Sequence, residues 1–223
     1  MRGTAESRVR NLVDYFLTAL VTLFVTIDPP GLAPVFIVLT AGHTRAERRA
    51  TAIRATTIAG AVLIGFALVG EPLIGFLGIT LPAFRIAGGL LLFVIAFEMV
   101  FGRREERKSA TAQTAVDRDE LRHIAVFPLA IPLITGPGAI SATILLASQA
   151  HSFGLMAGLI VIIIVLIAAC LAVFLLSHQL ERMLGETGRI VVSRLLGLIL
   201  AALSVQFVSD GITTMVKTAM GTP

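Results

Sequence analysis

Residues Ile124–Ala150 and Ser152–Ser177 run for 27 and 26 residues without an Asp, Glu, Lys or Arg. A helix needs roughly 20 apolar residues to cross a hydrocarbon core, so each stretch is long enough to span one. Composition agrees: 56% of the 223 residues are hydrophobic and 14% are charged, against roughly 45–50% and about 25% in soluble domains. A soluble fold would have too little polar surface to cover its core. Ala55–Gly70 and Ile86–Phe97 are shorter charge-free runs that extend into spans with their neighbours. The chain reads as an all-α polytopic membrane protein with six spans, near 12–41, 50–70, 81–101, 124–149, 154–177 and 190–216.

The distribution of positive charge orients these spans. The N-terminal segment, the two short loops at 71–80 and 150–153 and the C-terminus hold four Lys and Arg; the alternate segments hold eleven. The positive-inside rule puts the eleven in the cytoplasm and both termini outside. The net charge of +4 is then a topology signal, and no nucleic-acid partner is implied. The polar segment 102–123 reads as a solvated cytoplasmic linker. Lone Cys170 has no intrachain disulfide partner and reads as a small buried hydrophobe. The basic, then apolar N-terminus lacks a small-residue cleavage site and reads as a retained first span.

Span one is interrupted by "VTIDPPGLAP" (25–34), where Asp28, Pro29, Pro30 and Gly31 break an apolar run. Unbroken, Leu12–Gly42 would be about 46 Å long, more than a roughly 30 Å core accommodates upright. Span four carries a second interruption, Thr135-Gly136-Pro137-Gly138, 107 residues later. "FRIAGGLLL" (84–92) and "SRLLGLILA" (193–201) pair Arg85 with Arg194 and Gly88 with Gly197 at an offset of 109. Two landmarks at nearly one offset suggest a duplicated three-span unit: 12–101, the linker 102–123, and 124–216. An odd number of spans per unit makes the repeat inverted in topology, an arrangement typical of secondary transporters.

A break in a span exposes a carbonyl end and an N–H end of opposite dipole sign. Two such breaks suit a small zwitterion, its carboxylate at a half-helix N-terminus and its ammonium at carbonyl ends or Asp28. The glycines at the breaks leave little room, which favours a small solute. The candidate substrate-binding residues are Asp28, Pro29, Pro30, Gly31, Thr135, Gly136, Pro137, Gly138 and Ser141, with Gln206 and Asp210, four apart on one face of span six. Thr26 and Thr143 lie near the breaks, although such hydroxyls also bond their own helix. Glu98 reads as snorkelling at the cytoplasmic end of span three. Arg85 and Arg194 read as structural anchors.

A proton or other coupling ion acting through Asp28 fits this reading. No metal or cofactor is expected, since the four histidines fall in loops or at span ends. The alternatives are an intramembrane enzyme, for which no acid–base or nucleophilic constellation stands out, a carrier of another small solute or drug, and a passive pore or scaffold.

"DPPGLAPVF", "PAFRIAGGLLLF", "PLAIPLITGPGAIS" and "RLLGLILAALSVQFVSDGI" together resemble the MarC family of bacterial inner-membrane proteins, over roughly 12–216. The resemblance implies six spans in a three-plus-three repeat and, from some members, transport of small neutral amino acids such as glycine and alanine. It points to the same two break motifs and to Gln206 and Asp210. Leu32 departs from the family pattern, which often has Asn after the first-repeat glycine.

Overall fold

Lipid offers no hydrogen-bond partners, so a chain this apolar must close its backbone bonds within helices. The computed structural model describes residues 2–117 and 124–220, and among these no strand occurs. In order come α1 (Arg2–Ile27), α2 (Pro29–Leu39), α3 (Arg45–Phe76), α4 (Leu81–Val100), α5 (Arg103–Asp117), an irregular wound segment (Ala125–Ile134), α6 (Pro137–Ala147), α7 (Phe153–Leu175) and α8 (Ser177–Ala219). Among the described residues, five stretches are long and apolar enough to cross a membrane: Leu12–Leu39, Arg45–Phe76, Leu81–Val100, Phe153–Leu175 and Thr187–Ala219. The wound segment and α6, bent by 59° at their junction, form a sixth when taken as one span.

Local sequence sets most helix starts. Thr44 and Glu47 form a reciprocal capping box at α3, with Thr44 N–H donating to Glu47 Oε2 at 2.8 Å and Glu47 N–H to Thr44 Oγ1 at 3.3 Å. Thr80 and Ser152 cap α4 and α7 through their hydroxyls. The α1–α2 span is well buried, over 67% of its apolar window, against 28–33% for α3, α4, α7 and α8. The outer helices therefore turn apolar faces to the lipid. Phe36 of α2 stacks on Phe174 of α7 with centroids 4.6 Å apart.

Helices α4 and α8 run antiparallel and approach across glycines. A Cβ placed on Gly89 would lie 2.9 Å from Ser204 O, on Gly197 2.9 Å from Met99 Cβ, and on Gly211 3.0 Å from Pro82 O. Small residues let two backbones close in lipid, where van der Waals contact drives association.

Three expectations change. The segment 102–123 is not merely a solvated linker: its described part folds as α5, and Arg104, Lys108 and Ala112 are buried; residues 118–123 lie outside the described residues. The expected loop 178–189 is helical and continuous with α8, interrupted at Gly185, whose φ of 60° needs a glycine. The first half of span four is not a regular helix. Pro128 and Pro132, four apart, remove successive donors, Phe127 and Ile131 take extended dihedrals, and i→i+5 bonds from Leu129 to Ile124 (3.2 Å) and Thr135 to Ala130 (3.0 Å) close wide turns.

Candidate functional site

The first break grows out of proline chemistry. Pro29 and Pro30 have no N–H, so the carbonyls of Val25 and Thr26, which their amides would have met in a continuous helix, lose their donors. Helix α1 stops at Ile27, and Asp28 takes left-handed dihedrals (φ 56°, ψ 64°), a conformation Asp tolerates better than most residues. The prolines then occupy the first turn of α2, where a missing N–H costs nothing. Asp28 caps that turn: its Oδ1 accepts from Gly31 N–H at 3.2 Å. A Cβ on residue 31 would fall 2.2 Å from Asp28 Oδ2, so the cap requires glycine there.

Helix α5 completes the break. Its Arg104 donates Nη2–H to the freed Thr26 carbonyl, and Lys108 Nζ lies 2.9 Å from Asp28 Oδ2. Arg104 Nε approaches the same carboxylate oxygen at 3.9 Å. One turn away, Arg107 pairs with Glu98 of α4 at 2.8 Å, so Glu98 is tied to α5 and is not simply snorkelling. Arg189 of α8 meets Glu105 at 3.4 Å. Burial pulls the Lys108 ammonium and the Arg104 guanidinium below their ordinary pKa values, and Asp28 is the strongest influence holding them up. Asp28 is thus already occupied by a backbone amide and two cations.

The second break is built differently. Gly136 precedes α6 in extended conformation and supplies no side-chain cap, and Pro137 follows at the first helical position. The first intrahelical bond runs from Ile140 N–H to Gly136 O at 3.1 Å. By helix geometry, the N–H groups of Gly138 and Ala139 have no intrahelical acceptor. On the other side of this break, the wound segment ends in carbonyls near Pro132 and Leu133. A cavity of about 260 Å³ brings the breaks together: Thr26, Arg104 and Lys108 line it, and so do Gly136, Gly138 and Ile95. Arg107, Thr111, Pro132 and Leu133 also contribute.

Of the residues singled out from sequence, Gly136, Pro137 and Gly138 line this cavity. Asp28 adjoins it through Lys108, while Pro29, Pro30 and Gly31 form the capped turn behind it. Thr135 is buried and donates Oγ1–H to Ala130 O at 2.9 Å. Ser141 does not line the cavity and packs toward Gly88, where an added Cβ would come 3.6 Å from Ser141 Cβ. Thr26 and Thr143 donate to their own helices. Gln206 Nε2–H donates to Asp210 Oδ1 at 2.8 Å; the pair shares a face as the spacing predicts, but on α8, apart from the cavity. Leu32 is fully buried in the core.

Sequence reading missed Arg104 and Lys108. A signal existed: with Ala112 they recur at every fourth residue, on one face of a helix, and an acid inside an apolar span calls for a cation.

The profile described as MarC family integral membrane protein matches residues 13–216. A UPF0056 membrane protein of Archaeoglobus fulgidus is 36% identical over 210 residues, covering 92% of this chain and 95% of its own. The UPF0056 membrane protein YhcE of Escherichia coli is 36% identical over 193 residues, covering 85% and 88%. One from Buchnera aphidicola (subsp. Baizongia pistaciae) is 31% identical over 197 residues, covering 88% and 92%. No solved structure matches the chain.

Proposed function

The chain belongs to the MarC family of integral membrane proteins, and on that premise we propose that it is a secondary transporter of small neutral amino acids of the glycine and alanine type. The observation that carries the reading is the convergence of the two broken spans on one cavity. Paired interruptions in two halves of a membrane protein are the strongest sequence pointer to a transporter site. The cavity, about 260 Å³, falls below the roughly 300–1,000 Å³ of pockets for drug-sized ligands, which favours a small solute over a drug. In this reading the substrate ammonium goes to the carbonyl end at Pro132 and Leu133 and its carboxylate to the N–H end at Gly138 and Ala139. Asp28, already engaged, serves in closing the first break and in coupling to a proton or other ion.

The two three-helix units, 12–101 and 124–216, would be inverted repeats that exchange roles between inward-open and outward-open states. The protein would sit in a bacterial inner membrane with both termini periplasmic. It would carry out no catalytic step. A thermal-shift screen of the purified protein against all the common amino acids tests the substrate class. Stabilisation by glycine and alanine, and not by bulky or charged amino acids, is expected; a flat response, or a preference for large side chains, refutes it.

A further inference from the structure

Charge does not balance around the cavity. Arg104, Arg107 and Lys108 contribute three cations and line it, while Asp28 and Glu98 contribute the two carboxylates that pair with them. Among the described residues three cations thus share two carboxylates, and the more distant claim on Asp28 is that of Arg104, so its charge is the least compensated. Its side chain is 6% exposed and 3.9 Å from an oxygen that Lys108 holds at 2.9 Å. Its Nε and Nη1 have no hydrogen-bond partner among the described residues. A guanidinium kept this dry with open donors carries a desolvation cost that an anion would offset. The same cavity is lined by the start of α6, an 11-residue helix without a side-chain cap, whose orphan N–H groups and positive dipole end favour the same kind of ligand.

We propose that Arg104 and the α6 N-terminus form an anion subsite for a single carboxylate, and that the cavity therefore binds small monocarboxylates that lack an amino group. A zwitterion offers this subsite its carboxylate; its ammonium is a secondary determinant held only by carbonyl oxygens. A single negative charge matches the least compensated positive charge. The guanidinium fork provides two-point geometry for a carboxylate that a lysine at the same place does not. Arg104 is a binding residue here, whereas Lys108 and Arg107 are spent on their acids. The inference rests on the transport reading only in taking this cavity as the substrate's.

The test uses the full chain in nanodiscs with sodium acetate as the probe. Sodium gluconate at equal ionic strength is the oversized anion, and methylammonium chloride is the amine without a carboxylate. Acetate is expected to raise Tm with a saturable dependence and to displace labelled glycine, while gluconate and methylammonium do neither. Arg104→Gln is expected to weaken acetate binding at least tenfold, and Arg107→Gln less than threefold. Should Arg104→Gln not fold, because Thr26 O loses its donor, Arg104→Lys is read instead with the same tenfold expectation. If neither folds, the contrast of acetate with gluconate on the unmodified protein decides. Equal responses to acetate and gluconate overturn the proposal, as does an Arg104 variant that keeps acetate affinity within twofold. Glycine flux that is insensitive to acetate and to Arg104 would remove the subsite and leave transport standing. Acetate binding without flux of any amino acid would do the reverse.

Discussion

Lys108 Nζ lies 2.9 Å from Asp28 Oδ2, with the two side chains 6% and 4% exposed. The contact joins a helix that reads as polar from sequence to Asp28, the buried acid at the break between α1 and α2. It closes the first break from the α5 side, while Gly31 N–H closes it from the α2 side.

Removing one partner of such a pair strands a buried charge, at a cost of about 3–5 kcal/mol. Asp28→Asn leaves both Lys108 and Arg104 without a counter-charge and should be destabilised on that scale. Asp28→Asn combined with Lys108→Met should recover more than half of the loss. Unfolding of the purified single and double variants in detergent measures the coupling. Additive losses would show that the pair does not hold the break.

The neighbouring pair sets a contrast within one turn of α5. Arg107 and Glu98 meet at 2.8 Å, as close as the buried pair, but Arg107 is 57% exposed, and exposed pairs are worth about 0–1 kcal/mol. Arg107→Gln should leave Tm nearly unchanged, whereas Lys108→Gln should lower it clearly. Equal shifts would place α5 outside the buried site.

Gly31→Ala puts a methyl group where the Asp28 carboxylate lies. The cap must move, with a loss of about 1–2 kcal/mol typical of N-caps. Because the collision is with the Asp28 side chain, the loss should largely vanish in an Asp28→Gly background, which lacks that side chain and tolerates the left-handed dihedrals. A full loss in both backgrounds would mean that Gly31 acts by something other than this contact.

The two breaks were legible because their chemistry is local: "DPPG" and "TGPG" stop helices whatever surrounds them. The class and the spans followed from charge-free length. Two features were not legible from local rules. Pro128 and Pro132 sit in a stretch whose apolarity signals a span, so the irregular backbone was hidden behind composition. Arg104 and Lys108 sit among charges that resemble a solvated surface, and their burial depends on a long-range partner, Asp28, 80 residues before Lys108. Gln206 and Asp210 show the converse. Their spacing correctly predicts a shared face, but spacing alone does not say what that face meets.

A Cβ on Gly138 would meet Ile95 Cδ1 at 2.1 Å, the far end of a flexible side chain that also lines the cavity. Gly138→Ala should push Ile95 aside and weaken glycine binding severalfold. Gly138→Ala with Ile95→Val should restore most of the binding by removing the colliding methyl group. A titration of each variant with glycine checks this, and a double variant no better than the single would put the glycine's role elsewhere.

Flux of labelled glycine and alanine into proteoliposomes tests the central claim, that solute crosses at the cavity between the two breaks. The unmodified protein should exchange internal for external substrate. Gly138→Leu, which fills the cavity from the α6 side, should reduce exchange to the level of empty liposomes in a variant that still unfolds cooperatively, at a lowered Tm. Exchange by a folded Gly138→Leu at the unmodified rate would contradict the account.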